Sequence, residues 1–199
     1  MKKIILLIIG VLSIHYAEAQ GKRIIKDSFE NNRFQWEEFY EKTCSSSIQD
    51  GYLELKNDEE NASVWSVVEL PIDVERNFDL FFNFQADIVN DYWFGIVFNY
   101  EDANNFSCFI VQEKRFHLIN RVNGVSSISR RNDIILKKGR NKDVKISMKK
   151  KGRKLFFEVD EMEVIIVTKN IINNVFGCII VGENSIKLTE VMVEQISED

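Results

Sequence analysis

The residues best placed to do chemistry are the carboxylates of Glu158-Val-Asp160-Glu-Met-Glu163. Two carboxyl groups about 5 Å apart are what a retaining glycoside hydrolysis uses, one as nucleophile and one as acid and base. The same residues also fit a hairpin with a two-residue turn at Asp160-Glu161. Val159 then faces Met162, Glu158 faces Glu163 and Phe157 faces Val164. Leu155, Phe157, Val159, Met162, Val164 and Ile166 form one apolar face in that register. It puts Asp160 in the turn, away from any strand-face trio. Glu158 and Glu163 become a like-charged cross-strand pair that Lys154 or solvent can relieve. On the hairpin reading no catalytic residue is assigned; Glu158, Asp160 and Glu163 are the catalytic alternative.

Two further groups could bind rather than react. Lys137 to Lys154 carries ten cationic residues against one acid, Asp143, in a chain of net charge −5. Its densest part is Lys149, Lys150, Lys151, Arg153 and Lys154. That is either a patch for an anionic polysaccharide or envelope polymer, or the solvated face of two strands. Sugars stack on exposed aromatic rings and bond to amides and charged groups. Asn83, Gln85, Trp93 and Arg121 are the leading candidates for such a face, with Trp65, Tyr92 and Asp87 behind them. The same aromatic residues also serve as rim packing in β-sandwiches.

Several classes are disfavoured. Of two histidines, His15 lies in a leader-like segment, leaving His117. A zinc site built on several histidines is excluded and no C-x-x-C replaces it. No G-x-S-x-G elbow accompanies His117. A lone strand histidine is ordinarily a surface or cross-strand residue. No metal or cofactor is implied, although calcium held by loop carbonyls would leave no sequence trace. Cys44, Cys108 and Cys178 are too few and too odd in number for a disulfide scaffold. Cys108 and Cys178 sit in apolar runs and read as buried thiols; one disulfide, of unassigned pairing, stays open.

The elements that must position these residues are strands. In Asn77–Ile88, NFDLFFNFQADI places Phe78, Leu80, Phe82, Phe84, Ala86 and Ile88 on one face and polar residues, with Phe81, on the other. Phe94, Ile96 and Phe98 repeat that period of two, as do Phe116, Leu118 and Val122, and Val144, Ile146 and Met148. Asn123-Gly124 signals a hairpin turn, and Lys151-Gly152 another. IIKDSF and IQDGYLEL read as strands, with a loop around Thr43–Ser47. Val191 to Ile196 reads as a last strand closing near the first. With no sustained helical period, the expected fold is an all-β, two-sheet antiparallel jelly-roll sandwich.

Lys2, Lys3, an apolar run from Ile4 to Leu12 and Ala17-Glu18-Ala19 have the form of an export leader over residues 1–19. The run is too short to span a bilayer, which needs about 20 residues. The expectation is a single domain over 20–199, exported to a periplasm or beyond the cell, with no transmembrane span. Nucleic acid is a poor partner for an exported acidic chain.

The order of features resembles a known group. DSF near the start is followed by a tryptophan and by Asp50-Gly51-x-Leu53-x-Leu55. Then come FDLFFNFQADI, Gly95-x-Val97-Phe98, Asp102-x-x-Asn105-Phe106, FHLINRVNG, KLFFEVDEMEV, FGCIIVG and EVMVEQI. This is similar to the concanavalin A-like lectin/glucanase superfamily, in its laminin-G-like and 3-keto-disaccharide-hydrolase-type branches. The resemblance implies a jelly roll; its members include lectins, glycoside-cleaving enzymes and adhesion or spacer modules. E-x-D-x-x-E is the signature of the laminarinase-type enzymes there. It would make Glu158 the nucleophile, Asp160 its helper and Glu163 the acid/base. Fold does not choose among these functions. The leading expectation is a non-catalytic carbohydrate-binding or envelope-interaction module. The alternatives are a glycoside-active enzyme using Glu158 and Glu163, or a structural or protein-binding domain. Oligomeric state is left open.

Overall fold

Period-two alternation builds strands throughout. The computed structural model describes residues 22–88, 93–112, 115–131 and 139–196, and among them every regular element is a strand. A nine-stranded sheet runs in the order β13 (Met162–Thr168), β12 (Lys154–Val159), β11 (Gly139–Lys151), β6 (Phe78–Ile88), β15 (Asn184–Ile196), β4 (Tyr52–Asn57), β3 (Cys44–Gln49), β2 (Phe39–Tyr40). β1 (Lys22–Asp27) pairs with the last half of β15. A six-stranded sheet runs β10 (Val125–Arg131), β9 (Arg115–Val122), β8 (Asn105–Gln112), β7 (Trp93–Asp102), β14 (Val175–Val181), β5 (Ser63–Glu69). The strand pairs within both sheets are antiparallel. This is the expected two-sheet jelly roll.

Phenylalanine fills the space between the sheets. Phe78 meets Phe176 at 5.9 Å, Phe84 meets Phe94 at 5.3 Å and Phe157 stacks on Phe109 at 4.8 Å, each pair bridging the two layers. Phe82 and Phe84 are fully buried, as the alternation of their strand requires. β15 pairs with β6 along one edge, through a register shift between Leu188 and Glu190, and takes two partners along the other: its first half pairs with β4 and its second with β1. The last strand therefore does close beside the first. Close strand approach needs glycine twice in the six-stranded sheet. A Cβ on Gly95 would lie 1.9 Å from the Phe109 carbonyl oxygen, and one on Gly177 2.2 Å from that of Ser66.

The Asp27-Ser-Phe29 and Trp36 signature closes one side. Asp27 is buried, and its carboxylate accepts from the Phe29 N–H at 3.1 Å and the Trp36 indole N–H at 2.9 Å. Phe29 packs on Trp36 at 5.5 Å. Next to it the Glu37 carbonyl accepts from Ser46 of one sheet at 2.8 Å and Ser66 of the other at 2.7 Å. The segment is thus stitched across the gap between β3 and β5.

Two local expectations are corrected. IQDGYLEL is two strands, not one: Asp50 and Gly51, at φ 51° and 79°, form the turn between β3 and β4, and the expected loop at Thr43–Ser47 is largely strand β3. Positive φ at both central positions is what a type I′ turn demands, and Asp-Gly supplies it. The Asp160-Glu161 turn forms as expected, at φ 49° and 68°. Past Glu163, however, the register shifts, so Phe157 pairs with Ile165 rather than Val164. Ile165 and Val167 then join Val164 against the core, while Met162 and Ile166 face solvent. β13 is an edge strand, and a bulge there disturbs only one neighbour.

Candidate functional site

The acidic trio of the β12–β13 hairpin is spread over its tip. Glu158 points to the outer face of the nine-stranded sheet, where Oε2 accepts from Ser147 at 3.1 Å and Oε1 from Lys149 at 2.6 Å. That hydrogen bond holds the Lys149 ammonium above its ordinary range, against the opposing effect of burial. Lys149, rather than Lys154, offsets the Glu158–Glu163 repulsion. Asp160 sits in the turn, where its Oδ1 accepts from the Lys145 N–H at 2.9 Å and its own N–H donates to the Lys145 carbonyl at 2.9 Å. The turn is thereby clamped to β11. Glu163 is exposed.

The basic stretch does not form one patch. Consecutive strand residues face opposite ways, so Lys150 points inward between Lys149 and Lys151. It is buried, with Nζ donating to the Glu75 and Arg76 carbonyls at 3.0 and 3.1 Å. Lys149 is paired with Glu158, Lys145 lies over Phe81 at 4.6 Å and Lys151 over Phe156 at 5.5 Å. Arg153 and Lys154 are exposed at the β11–β12 turn. Lys137 and Lys138 fall outside the described residues.

The glycan candidates separate onto two sides of the sandwich. Asn83 and Gln85 lie on the outer face of the nine-stranded sheet, Asn83 donating to Glu190 at 3.1 Å. Asp87 accepts from the Asn141 N–H at 2.6 Å. Trp93, Arg121 and Trp65 lie on the outer face of the six-stranded sheet. Asn83 and Gln85 therefore cannot share one ligand surface with Trp93 and Arg121. Tyr92 falls outside the described residues.

That second face is the chemically distinct one. Its alternate positions carry a second apolar cluster, built on Val97, Phe106, Cys108, Ile110 and Ile179 and separate from the core between the sheets. Trp93 crosses β8 to stack on the buried His117, with ring centroids 4.4 Å apart and 24° between planes. Trp65, Tyr100 and Phe106 form a triangle, at 6.4 Å for Trp65–Tyr100, 5.6 Å for Trp65–Phe106 and 6.3 Å for Tyr100–Phe106. The Trp65 indole N–H donates to the Tyr100 hydroxyl at 3.4 Å.

A cleft opens on each side of this triangle. One, of about 280 Å³, is bounded by Trp65, Tyr100, Phe39, Glu37, Glu41 and Cys44. The other, of about 340 Å³, is bounded by Phe106, Arg121, Asn99, Asn105, Asn120 and Lys169, with exposed Val122 and Ile172 at its rim. Asn99 makes the second possible. At φ 52° it interrupts the alternation of β7, shifts the pairing with β8, and turns its amide onto the segment after β13. That amide donates to the Asn170 carbonyl at 3.0 Å and accepts from the Ile172 N–H at 2.9 Å. The segment so held brings Lys169 over the end of the sandwich. There its Nζ donates to Ser107 at 2.6 Å and to Asn120 at 2.5 Å, and burial holds it below the ordinary lysine range. Arg121 and Trp65 were among the sequence candidates. The sequence does not mark Tyr100, Asn99, Asn120 or Lys169, and Asn105 and Phe106 carry only a turn signal.

Burial pushes the Cys108 thiol up to about 12 and the Cys178 thiol higher still, and the three cysteines are unbridged. Among the described residues no three His, Cys, Asp or Glu side chains cluster as metal ligands.

No family model and no curated protein matches this sequence. Solved structures do match its fold. The carbohydrate binding module CBM66 from Bacillus subtilis is 14% identical with a TM-score of 0.55, over 78% of this chain and 94% of that one. A Bacillus licheniformis beta-glucanase is 9% identical with a TM-score of 0.58, over 88% and 98%. The catalytic domain of an endo-1,3-beta-glucanase (laminarinase) from Thermotoga petrophila RKU-1 is 7% identical with a TM-score of 0.60, over 90% and 100%. The fold is the concanavalin A-like jelly roll.

Proposed function

We propose that this chain is an exported carbohydrate-binding module without catalytic activity, holding glycan on the outer face of the six-stranded sheet. The observation that carries the reading is the Trp65–Tyr100–Phe106 triangle set between two clefts. Aromatic faces give a sugar ring an apolar platform, and convergent polar groups beside them fix its hydroxyls. Support also comes from the fold, which this chain shares with proteins named as a carbohydrate binding module and as glucanases. The non-catalytic part rests on the hairpin acids. Glu158 is engaged by Ser147 and Lys149, and Asp160 is spent on holding its own turn to β11. Export rests on the leader over residues 1–19, so purified exported material should begin at or near Gln20; a chain retaining that leader in a membrane fraction contradicts it. A glycan array probed with the 20–199 chain, beside a reducing-sugar assay on β-glucans and galactans, tests function. Binding without release of reducing ends supports the reading. Hydrolysis that Glu158→Gln and Glu163→Gln both abolish replaces it with the glycosidase, and binding to no glycan leaves the structural or protein-binding alternative.

A further inference from the structure

Among the described residues, every sheet edge but one is protected. β2 is two residues long. β13 carries a register shift and Glu163. Four of the six residues of β1 are charged, Lys22, Arg23, Lys26 and Asp27. The outer side of β5 is taken by the Glu37 N–H, which donates to the Val67 carbonyl at 3.1 Å. Short strands, bulges, charges and covering segments all keep an edge from pairing with another chain. β10 has none of these. It ends the six-stranded sheet and pairs with β9 in unbroken register from Val125 to Arg131. Val125 to Ser129 holds no charge and no proline, and each of these residues is exposed, so neither face of the strand is covered.

The turn fixes which backbone groups are free. Asn123 and Gly124, at φ 50° and 79°, form a two-residue type I′ turn. The residues that flank such a turn, Val122 and Val125, exchange both N–H···O=C bonds, and every second pair along the ladder does the same. Ser127 and Asn120 are the next such pair, and the Ser127 hydroxyl also donates to the Asn120 carbonyl, at 3.3 Å. The N–H and C=O groups of Ser126, Ile128 and Arg130 therefore point away from β9.

The same hairpin concentrates positive charge. Its residues 115–131 include Arg115, Arg121, Arg130 and Arg131 and no Asp or Glu, in a chain of net charge −5. No carboxylate among the described residues forms an ion pair with Arg115 or Arg121. A second copy of this chain would bring two such hairpins together, and like charges oppose that. Free N–H and C=O groups recurring about every 7 Å match an extended polypeptide rather than a glycan.

We propose that β10 is a docking edge for an acidic, extended polypeptide segment, which adds a seventh strand to the six-stranded sheet. Its backbone pairs with Ser126, Ile128 and Arg130. The residue opposite Ile128 is apolar, because Ile128 pairs with Ile119 on that face. Residues two positions to either side return to the same face, opposite Ser126 and Arg130, and are acidic. The one beside Ser126 also lies toward Arg121, the cross-strand neighbour of Ser126. The assignment goes beyond the carbohydrate-binding reading and does not depend on it. Pairing along one short strand buries less than the about 1,200 Å² of a stable complex, so the contact is transient.

The test is titration of the 20–199 chain at about 0.15 M salt, read by calorimetry and by amide hydrogen exchange. The probe is a short peptide with a central valine, glutamates two positions to either side and threonine elsewhere. Its companions are the lysine-for-glutamate peptide and the acidic peptide N-methylated at the valine and glutamates. The acidic peptide should slow exchange at Ser126 and Ile128 and bind about 10-fold more tightly than the lysine peptide, the ratio for two exposed attractions replaced by two repulsions. The N-methylated peptide should give no protection. Ile128→Pro removes an N–H that points away from β9, so the ladder with β9 survives. It should weaken binding about 10-fold or more at a melting temperature near wild type. No protection by the acidic peptide overturns the docking edge. Protection by the N-methylated form overturns strand pairing, and equal affinity for the acidic and lysine peptides overturns the acidic partner. Dimers in sedimentation that Ile128→Pro removes would assign the edge to a second copy. Protection of the same amides by dextran sulfate and not by the peptide would assign it to an anionic polysaccharide; either result overturns the proposal. Should Ile128→Pro fail to fold, the comparison of the acidic peptide with its N-methylated form decides.

Discussion

Replacing Trp36 by Phe should cost the fold far more than its conservative chemistry suggests. Trp36 is 2% exposed and Asp27 3% exposed, so the bond between them is made in a dry site. The indole N–H at 2.9 Å and the Phe29 N–H at 3.1 Å are the donors to that carboxylate, and no ion pair supports it among the described residues. Phe retains a ring against Phe29 but removes one donor, leaving a buried carboxylate oxygen unmatched. A hydrogen bond to a charged group contributes about 1.5–3 kcal/mol, and the smaller ring adds a packing loss, for a total of about 2–4 kcal/mol. Urea titration measures it as a lower midpoint at unchanged slope. A double-mutant cycle with Asp27→Asn isolates the bond: the two losses should fall short of additivity by at least about 1 kcal/mol, beyond the 0.3–0.5 kcal/mol scatter of independent sites. A Trp36→Phe loss below about 0.5 kcal/mol, or strict additivity, refutes the claim that this buried bond holds the Trp36 segment against β1.

Three other outcomes follow from the same structure. Phe82→Ala and Phe84→Ala should each cost about 3–5 kcal/mol, and a loss under about 1 kcal/mol for both in denaturant titration would contradict their place in the core. A disulfide thiol reagent should label Cys44 alone in the native protein, slowly because burial and Glu41 raise its thiol, and all three cysteines after denaturation; rapid native labelling of Cys108 or Cys178 would contradict their burial. Burial, outweighing Lys149 and Lys151 and joined by Glu194 and Glu158, holds the Asp79 carboxyl above its ordinary range. A raised folded-state pKa makes a contribution that is present below the unfolded pKa and lost as pH rises through the folded one. Asp79→Asn should therefore raise Tm over wild type at about pH 7 and lose that advantage by about pH 3; an equal or opposite difference at the two pH values would show that the carboxyl is not held in that way.

Much of the fold was legible because strand alternation is a local property. Phe78 to Ala86 could be assigned a face from five residues alone, and Asn123-Gly124 and Asp160-Glu161 named their own turns. Asp50-Gly51 carries the same turn chemistry, but IQ and YLEL on either side read as one run and mask it. The inward turn of Lys150 was also latent: in Lys149-Lys150-Lys151, alternation obliges the middle residue to face opposite the other two. What local pattern could not supply was the sheet to which each strand belongs. Asn83 and Arg121 both sit on wet faces, yet on opposite sides of the molecule. The cleft lay further out of reach, since Lys169 meets Ser107 across 62 positions and Asn120 across 49. Its one local trace is Asn99, where the alternation of FGIVFNY stops at a residue type that tolerates left-handed backbone.

The central claim is that glycan is held at the aromatic triangle and that the hairpin acids take no part. Binding isotherms on the best glycan from an array test it most directly, with wild type beside Trp65→Ala and the Glu158→Gln/Glu163→Gln double variant. Loss of one sugar-stacking ring should weaken binding about 10-fold or more, since each 1.4 kcal/mol is a factor of ten, while the double variant keeps wild-type affinity. An unchanged isotherm for Trp65→Ala together with lost binding in the double variant would place the ligand on the opposite sheet and contradict the account.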